Sequence, residues 1–211
     1  MSARPCPQID CFTRAGAYSV HSTPAVAAAM TAICVVAGSA AAMTEEERAL
    51  WKGRVAASAL SDTLREKLSE SLKSGGLPGA MRVCSYQAQA LIREVAEKQG
   101  VRVGRTSLKL RSPKNAPDAW EREVLLRLQG LALEGKLPEE VFEAAEVEGK
   151  KVFRYAKPLK IGTACIGCHG SASEVPEEVR EELKERYPLD QALGYKPGEL
   201  RGIASAVIPP E

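Results

Sequence analysis

Residues 152–170 read Val152-Phe153-Arg154-Tyr155-Ala156-Lys157-Pro158-Leu159-Lys160-Ile161-Gly162-Thr163-Ala164-Cys165-Ile166-Gly167-Cys168-His169-Gly170. In the first half, Val152 and Arg154 alternate with Phe153 and Tyr155, the period of a β-strand. Val147-Glu148-Gly149-Lys150 just before it carries a turn, so Glu143 to Lys160 reads as a hairpin. The second half is a C-x-x-C-H motif, the attachment signature of c-type haem. The chemistry explains the spacing. Two thiols add across the two vinyl groups of one haem, and two intervening residues let both sulfurs reach one porphyrin edge. The adjacent His169 then offers its imidazole to the iron, and Gly170 lets the chain turn away without a Cβ.

With 6 cysteines and 2 histidines in 211 residues, a chance match is improbable. Three other readings compete. A redox-active C-x-x-C belongs at a helix start in a βαβ pattern, which is not seen here. Cys84, Cys165, Cys168 and His169 supply the atoms for a zinc site, but adjacent Cys168 and His169 must then bend onto one tetrahedral ion. A Cys165–Cys168 disulfide closes too small a loop to stabilise much.

The formal net charge of +2 gives no indication of nucleic-acid binding. Residues 25–42 are apolar and end in Ala40-Ala41-Ala42, which reads as the core and cleavage site of a secretory signal peptide. The expected organisation is a leader over 1–42 and one domain over 43–211, exported to the periplasm with no membrane span after cleavage. The alternative is a chain anchored by an uncleaved leader, although an alanine-dominated run makes a weak transmembrane helix. Cleavage removes Cys6, Cys11, Cys34 and His21, leaving Cys84, Cys165, Cys168 and one histidine, His169. Bis-histidine ligation by this chain alone is then excluded.

Thr44-Glu45-Glu46-Glu47 has the spacing of a capping box and predicts a helix to about Ser74, ended by Gly75-Gly76-Leu77-Pro78-Gly79. A second helix is expected from about Ala80 to Gln99, closed by Gly100, with Ala80, Cys84, Ala88, Leu91 and Val95 on one side. An inward cysteine there reads as a small hydrophobe; beside a haem lacking a second histidine it is also a candidate ligand. Val101–Arg105 and Thr106–Arg111 alternate like strands, Ser112–Pro117 reads as a turn, and Asp118 opens a third helix to about Gln129. A further helix is expected near Pro176 and a last strand over Leu200–Pro209. The fold class is α+β: long N-terminal helices, an antiparallel sheet and a haem against it.

Several segments together resemble a known family. They are Arg105-Thr106-Ser107-Leu108-Lys109-Leu110-Arg111, Lys114-Asn115-Ala116-Pro117-Asp118-Ala119-Trp120-Glu121, Phe153–Pro158, Cys165–Gly170 and Gly194-Tyr195-Lys196-Pro197-Gly198-Glu199-Leu200-Arg201-Gly202. The family is one of bacterial c-type haem proteins, long catalogued as a domain of unknown function, found alone or as a sensor module. The resemblance implies a PAS-like fold holding one covalent haem c with histidine and cysteine as axial ligands. By motif, Cys165 and Cys168 are the thioether positions, His169 the proximal ligand and Cys84 the distal one. Met81, one turn from Cys84, is the rival; water, an amine or an open position are the remaining alternatives.

Arg105, Lys109 and Arg111 are candidates to pair with the propionates, the alternative being a solvated strand face. Trp120, Phe153 and Tyr155 are candidates to pack on the porphyrin, with ordinary core as the alternative. The expected function is a redox or gas (NO, CO, O2) sensor or binding protein that acts through a separate redox or signalling partner. The runner-up is a soluble periplasmic electron carrier. An enzyme such as a peroxidase is the weakest reading.

Overall fold

A computed structural model describes residues 42–211; the expected leader lies outside the described residues apart from its last position. The first helix, α1 (Glu45–Arg82), starts where the capping box places it. Thr44 Oγ1 accepts from the Glu47 amide at 3.2 Å and Glu47 accepts from the Thr44 amide at 2.7 Å. Gly76 breaks α1 with φ 60° and ψ −157°, two residues before Pro78. The break falls where the glycine-proline cluster predicts it, but no loop follows, because the chain re-enters helix at once. Gly79 makes that possible: a Cβ there would sit 2.7 Å from the Ser71 carbonyl oxygen.

The helix then widens into a π-helical turn over Val83–Gln87 and continues as α2 (Ala88–Gln99). Gly100 closes α2 in the left-handed conformation, as expected. Strand β1 spans Arg102–Thr106. The predicted second strand, Thr106–Arg111, does not form. The Ser107 hydroxyl instead bonds both the Lys109 amide and the Lys109 carbonyl at 3.1 Å, a local turn that displaces the ladder.

Helix α3 (Ala119–Leu133) has a second capping box, between Asp118 and Glu121, and runs through Gly130 beyond the expected end. Strands β2 (Val141–Val147) and β3 (Lys150–Lys160) form the predicted hairpin. Its turn residues Glu148 and Gly149 both have positive φ, 53° and 75°, as a two-residue type I′ turn requires. A one-turn helix α4 (Ile166–His169), helix α5 (Glu177–Arg186) and strand β4 (Leu200–Ile208) complete the described chain. The sheet is antiparallel with order β1-β4-β3-β2. The α+β class is as read from the sequence.

Both faces of the sheet are covered. Phe153, Tyr155, Ala204 and Ala206 pack against Ala56, Ala57, Leu60 and Leu64 of α1, while Ala156 and Ile203 meet Val124, Leu125 and Leu128 of α3. Residues Val152 through Ala156 are therefore buried without interruption, where a half-buried strand would alternate. Each fully buried leucine contributes about 1.5–3 kcal/mol. Gly53 brings α1 against β3, since a Cβ there would lie 2.7 Å from Tyr155 Cβ. Beyond this three-layer core, the break in α1, the loop after β1, α4 and the 187–199 segment enclose a separate cavity.

Candidate functional site

The cavity has a volume of about 740 Å³, within the range of cofactor sites. Its walls carry Cys84 and Met81 from the end of the first helix and its π-turn, and Cys165, Cys168 and His169 from the motif. Leu68, Leu72, Leu77, Leu110, Leu159 and Ile161 make much of the rest apolar. The motif folds as a 3-10 turn over Thr163–Cys165 leading into α4. Residues three and four apart share a helix face, which turns Cys165, Cys168 and His169 toward one space. Gly170 ends α4, and a Cβ there would lie 2.8 Å from the Ile166 carbonyl oxygen and 2.7 Å from Ile166 Cγ2. Only glycine fits this exit.

His169 Nδ1 lies 2.8 Å from the Ala192 carbonyl oxygen. A carbonyl can only accept, so Nδ1 carries the proton. Burial, then the positive charges of Arg111 and Arg201, hold the imidazole pKa down at about 3. The ring is neutral, and Nε2 keeps a lone pair for a metal, the arrangement in which histidine binds iron. Tyr195 packs edge-on to His169, with ring centroids 6.3 Å apart. Burial pushes the Cys168 thiol up, opposed by Arg111.

The free thiol of Cys84 is half-buried on the π-helical turn. Such turns recur at functional positions in helices. Met81 is almost fully buried among Val175, Val179 and Leu183, the cluster against which Cys168 also packs. Among the described residues, no three His, Cys, Asp or Glu side chains converge as a metal-ion site would require. The four donors of the zinc reading thus line one space without closing on one point, which suits a group wider than a single ion.

The cationic candidates divide. Arg105 is on the cavity wall; its backbone pairs with Ala204 in the sheet, and its guanidinium has no hydrogen-bond or ion-pair partner among the described residues. Arg111 is on the wall but also engages Asp190 at 3.0 Å and the Cys168 carbonyl at 2.5 Å. Lys109 turns aside: its Nζ donates to the Leu193 carbonyl at 2.7 Å and lies 4.4 Å from the Tyr195 ring centroid. Trp120, Phe153 and Tyr155 do not line the cavity. Strand alternation directs Phe153 and Tyr155 into the α1 core, where the Tyr155 hydroxyl donates to Glu140 at 3.0 Å. The Trp120 indole N–H donates to Glu143 at 2.8 Å, with Arg154 over its ring. These three residues build the sheet layers.

Arg201, Tyr187 and Tyr195 belong to the surroundings of the site without having been singled out for it. Arg201 lines the cavity and donates to Ser107 Oγ at 2.7 Å and to the Lys109 carbonyl at 3.1 Å, and burial lowers its pKa. Its place beside Gly202 in the 194–202 segment was the available signal. Ala192 acts through a backbone carbonyl, for which no side chain gives a signal.

Fold and site together define an α+β domain that sets a C-x-x-C-H turn on the wall of a cofactor-sized cavity. The chain belongs to the Tll0287-like family, whose profile matches residues 39–209. Its fold is similar to that in the crystal structure of the cyanobacterial heme-protein Tll0287, with a TM-score of 0.50 and 23% identity over 71% of this chain and 92% of that one. No curated protein matches the chain. The resemblance drawn from the motifs is thereby borne out.

Proposed function

We propose that this chain is an exported monohaem c-type cytochrome with a PAS-like haem domain that senses redox state or a diatomic gas. The observation that carries it is the shared cavity: Cys165, Cys168, His169 and Cys84 all open onto one space of about 740 Å³. Cys165 and Cys168 would hold haem covalently through thioethers, His169 would ligate through Nε2, and Cys84 would be the second axial ligand. Bound there, haem supplies an iron that changes oxidation state and takes diatomic ligands. Arg105, with Arg111 and Arg201, would meet the propionates, as charge-assisted hydrogen bonds favour. The family membership supports the haem, and the expected leader over residues 1–42 supports export.

The position of Cys84 supports sensing over electron carriage. A thiolate donates strongly and favours ferric iron, and as a ferrous ligand it is readily lost by protonation at Sγ. The π-turn carrying Cys84 lies between α1 and α2, which cover the sheet. Movement at Cys84 would pass into that layer, from which a separate partner protein would read it. No catalytic role is assigned to any residue.

Absorption and EPR spectra of the haem-loaded protein test this reading, oxidised and reduced, with and without CO or NO. The expected result is a low-spin ferric thiolate signal that disappears on reduction, together with gas binding. Two ligands retained in both oxidation states, with indifference to CO and NO, would contradict sensing and point to electron transfer.

A further inference from the structure

The segment over residues 187–199, without helix or strand, wraps α4 and places the Ala192 carbonyl at His169. It is tied to the motif by backbone bonds from Gly194 N to the Gly170 carbonyl at 2.8 Å and from Tyr195 N to the His169 carbonyl at 2.9 Å. Neither bond reaches Ala192. Next to it, Gln191 N donates to the Leu110 carbonyl at 2.7 Å, and Ala192 itself is held by a buried ion pair. Arg111 and Asp190 side chains are only 10% and 7% exposed. Asp190 Oδ2 accepts from Arg111 Nε at 3.0 Å, and Asp190 Oδ1 accepts from the Ala192 amide at 2.7 Å. Arg111 Nη2 donates to the Cys168 carbonyl at 2.5 Å and to the Ala192 carbonyl at 3.3 Å. One guanidinium thus joins the helix that carries His169, the carboxylate that holds the Ala192 amide, and the Ala192 carbonyl that accepts the His169 Nδ1 proton.

Resting on the proposed haem ligation by His169, we infer that Arg111 and Asp190 are positioning residues that set the electron donation of the axial imidazole. An Nδ1–H held on a well-aligned acceptor makes Nε2 a stronger donor. Asp190 also balances the Arg111 charge beside the iron site, and an uncompensated cation there disfavours the ferric state. Arg111 accordingly has two uses: its charge faces the cavity while its donors fix the loop. A residue devoted only to a propionate would not need a buried carboxylate behind it.

Asp190→Asn is the direct test, because it keeps the shape and an acceptor for the Ala192 amide while removing the charge that holds Arg111. Loosened positioning and the exposed Arg111 charge act in the same direction, toward a higher potential. The expected result is a rise of about tenfold or more in the ferrous-to-ferric ratio at fixed ambient potential, equivalent to about 59 mV for one electron, with altered ferric EPR g-values. Asp190→Glu, which keeps the carboxylate, should recover much of the shift. Both quantities are read on the folded, haem-loaded fraction, so a lower yield does not enter them. A merely structural ion pair would lower the melting temperature and leave potential and g-values at their wild-type values, and that result overturns the inference while leaving the haem reading intact. Wild-type protein without covalent haem overturns both together.

Discussion

His169 makes the folding of the haem-free chain sensitive to acid. Its imidazole, ordinarily near 6.5, is held at about 3 by burial and by Arg111 and Arg201. Between those values the unfolded chain binds a proton that the folded chain refuses, so stability is greatest above 6.5 and falls as the pH drops toward 3. At pH 5 the unfolded imidazole is about 1.5 pH units below its own pKa, which at 1.36 kcal/mol per unit costs about 2 kcal/mol. Carboxylates titrate in the same range, so the effect is isolated by comparison with His169→Asn. Urea unfolding of both haem-free proteins at pH 7 and pH 5 measures it. The wild type should lose about 2 kcal/mol more than the variant. Equal losses would refute the reasoning, since they would mean that His169 is protonated in the folded chain or exposed to solvent.

In haem-loaded protein, Cys84→Ala should abolish the low-spin ferric thiolate spectrum, whereas Met81→Leu, a swap that costs under about 1.5 kcal/mol, should preserve it; the reverse pattern in absorption spectra would make Met81 the ligand. Gly170→Ala places a Cβ 2.7 Å from Ile166 Cγ2 and should cost about 1–3 kcal/mol. That is a fall of about 2–12 °C in melting temperature for a domain of this size, and an unchanged melt would show that α4 relaxes freely. Arg105→Gln removes a cavity-wall cation whose guanidinium has no hydrogen-bond or ion-pair partner among the described residues and should lower the reduction potential by the equivalent of at most about 1 kcal/mol. Lys109→Gln should not move the potential, because Lys109 is engaged by Leu193 and Tyr195.

Features written in local chemistry were legible in the sequence. Thr44 with Glu47, the glycines at 76 and 100, and Glu148-Gly149 each specify a cap, a break or a turn within a few residues, and each is found where expected. Thr106–Arg111 misled because alternation takes no account of Ser107 bonding Lys109 and ending the ladder. Phe153 and Tyr155 share a strand face, but nothing local says whether that face meets α1 or the cavity. At the site, Cys165, Cys168 and His169 were singled out by the fixed spacing of rare side chains and Cys84 as an inward cysteine on its helix, and all four line one cavity. The π-turn under Cys84 and the Ala192 carbonyl were not. A backbone acceptor has no residue type of its own, and a one-residue widening of a helix leaves the apolar period nearly intact.

Everything proposed for this site rests on one haem bound covalently to Cys165 and Cys168. Its most direct test is the mass of the intact, denatured protein after expression with export and haem-attachment machinery. The expected mass is that of the polypeptide plus a single haem that survives denaturation and is lost in a Cys165→Ala, Cys168→Ala double variant. A bare polypeptide mass, or haem that leaves on denaturation, would contradict it.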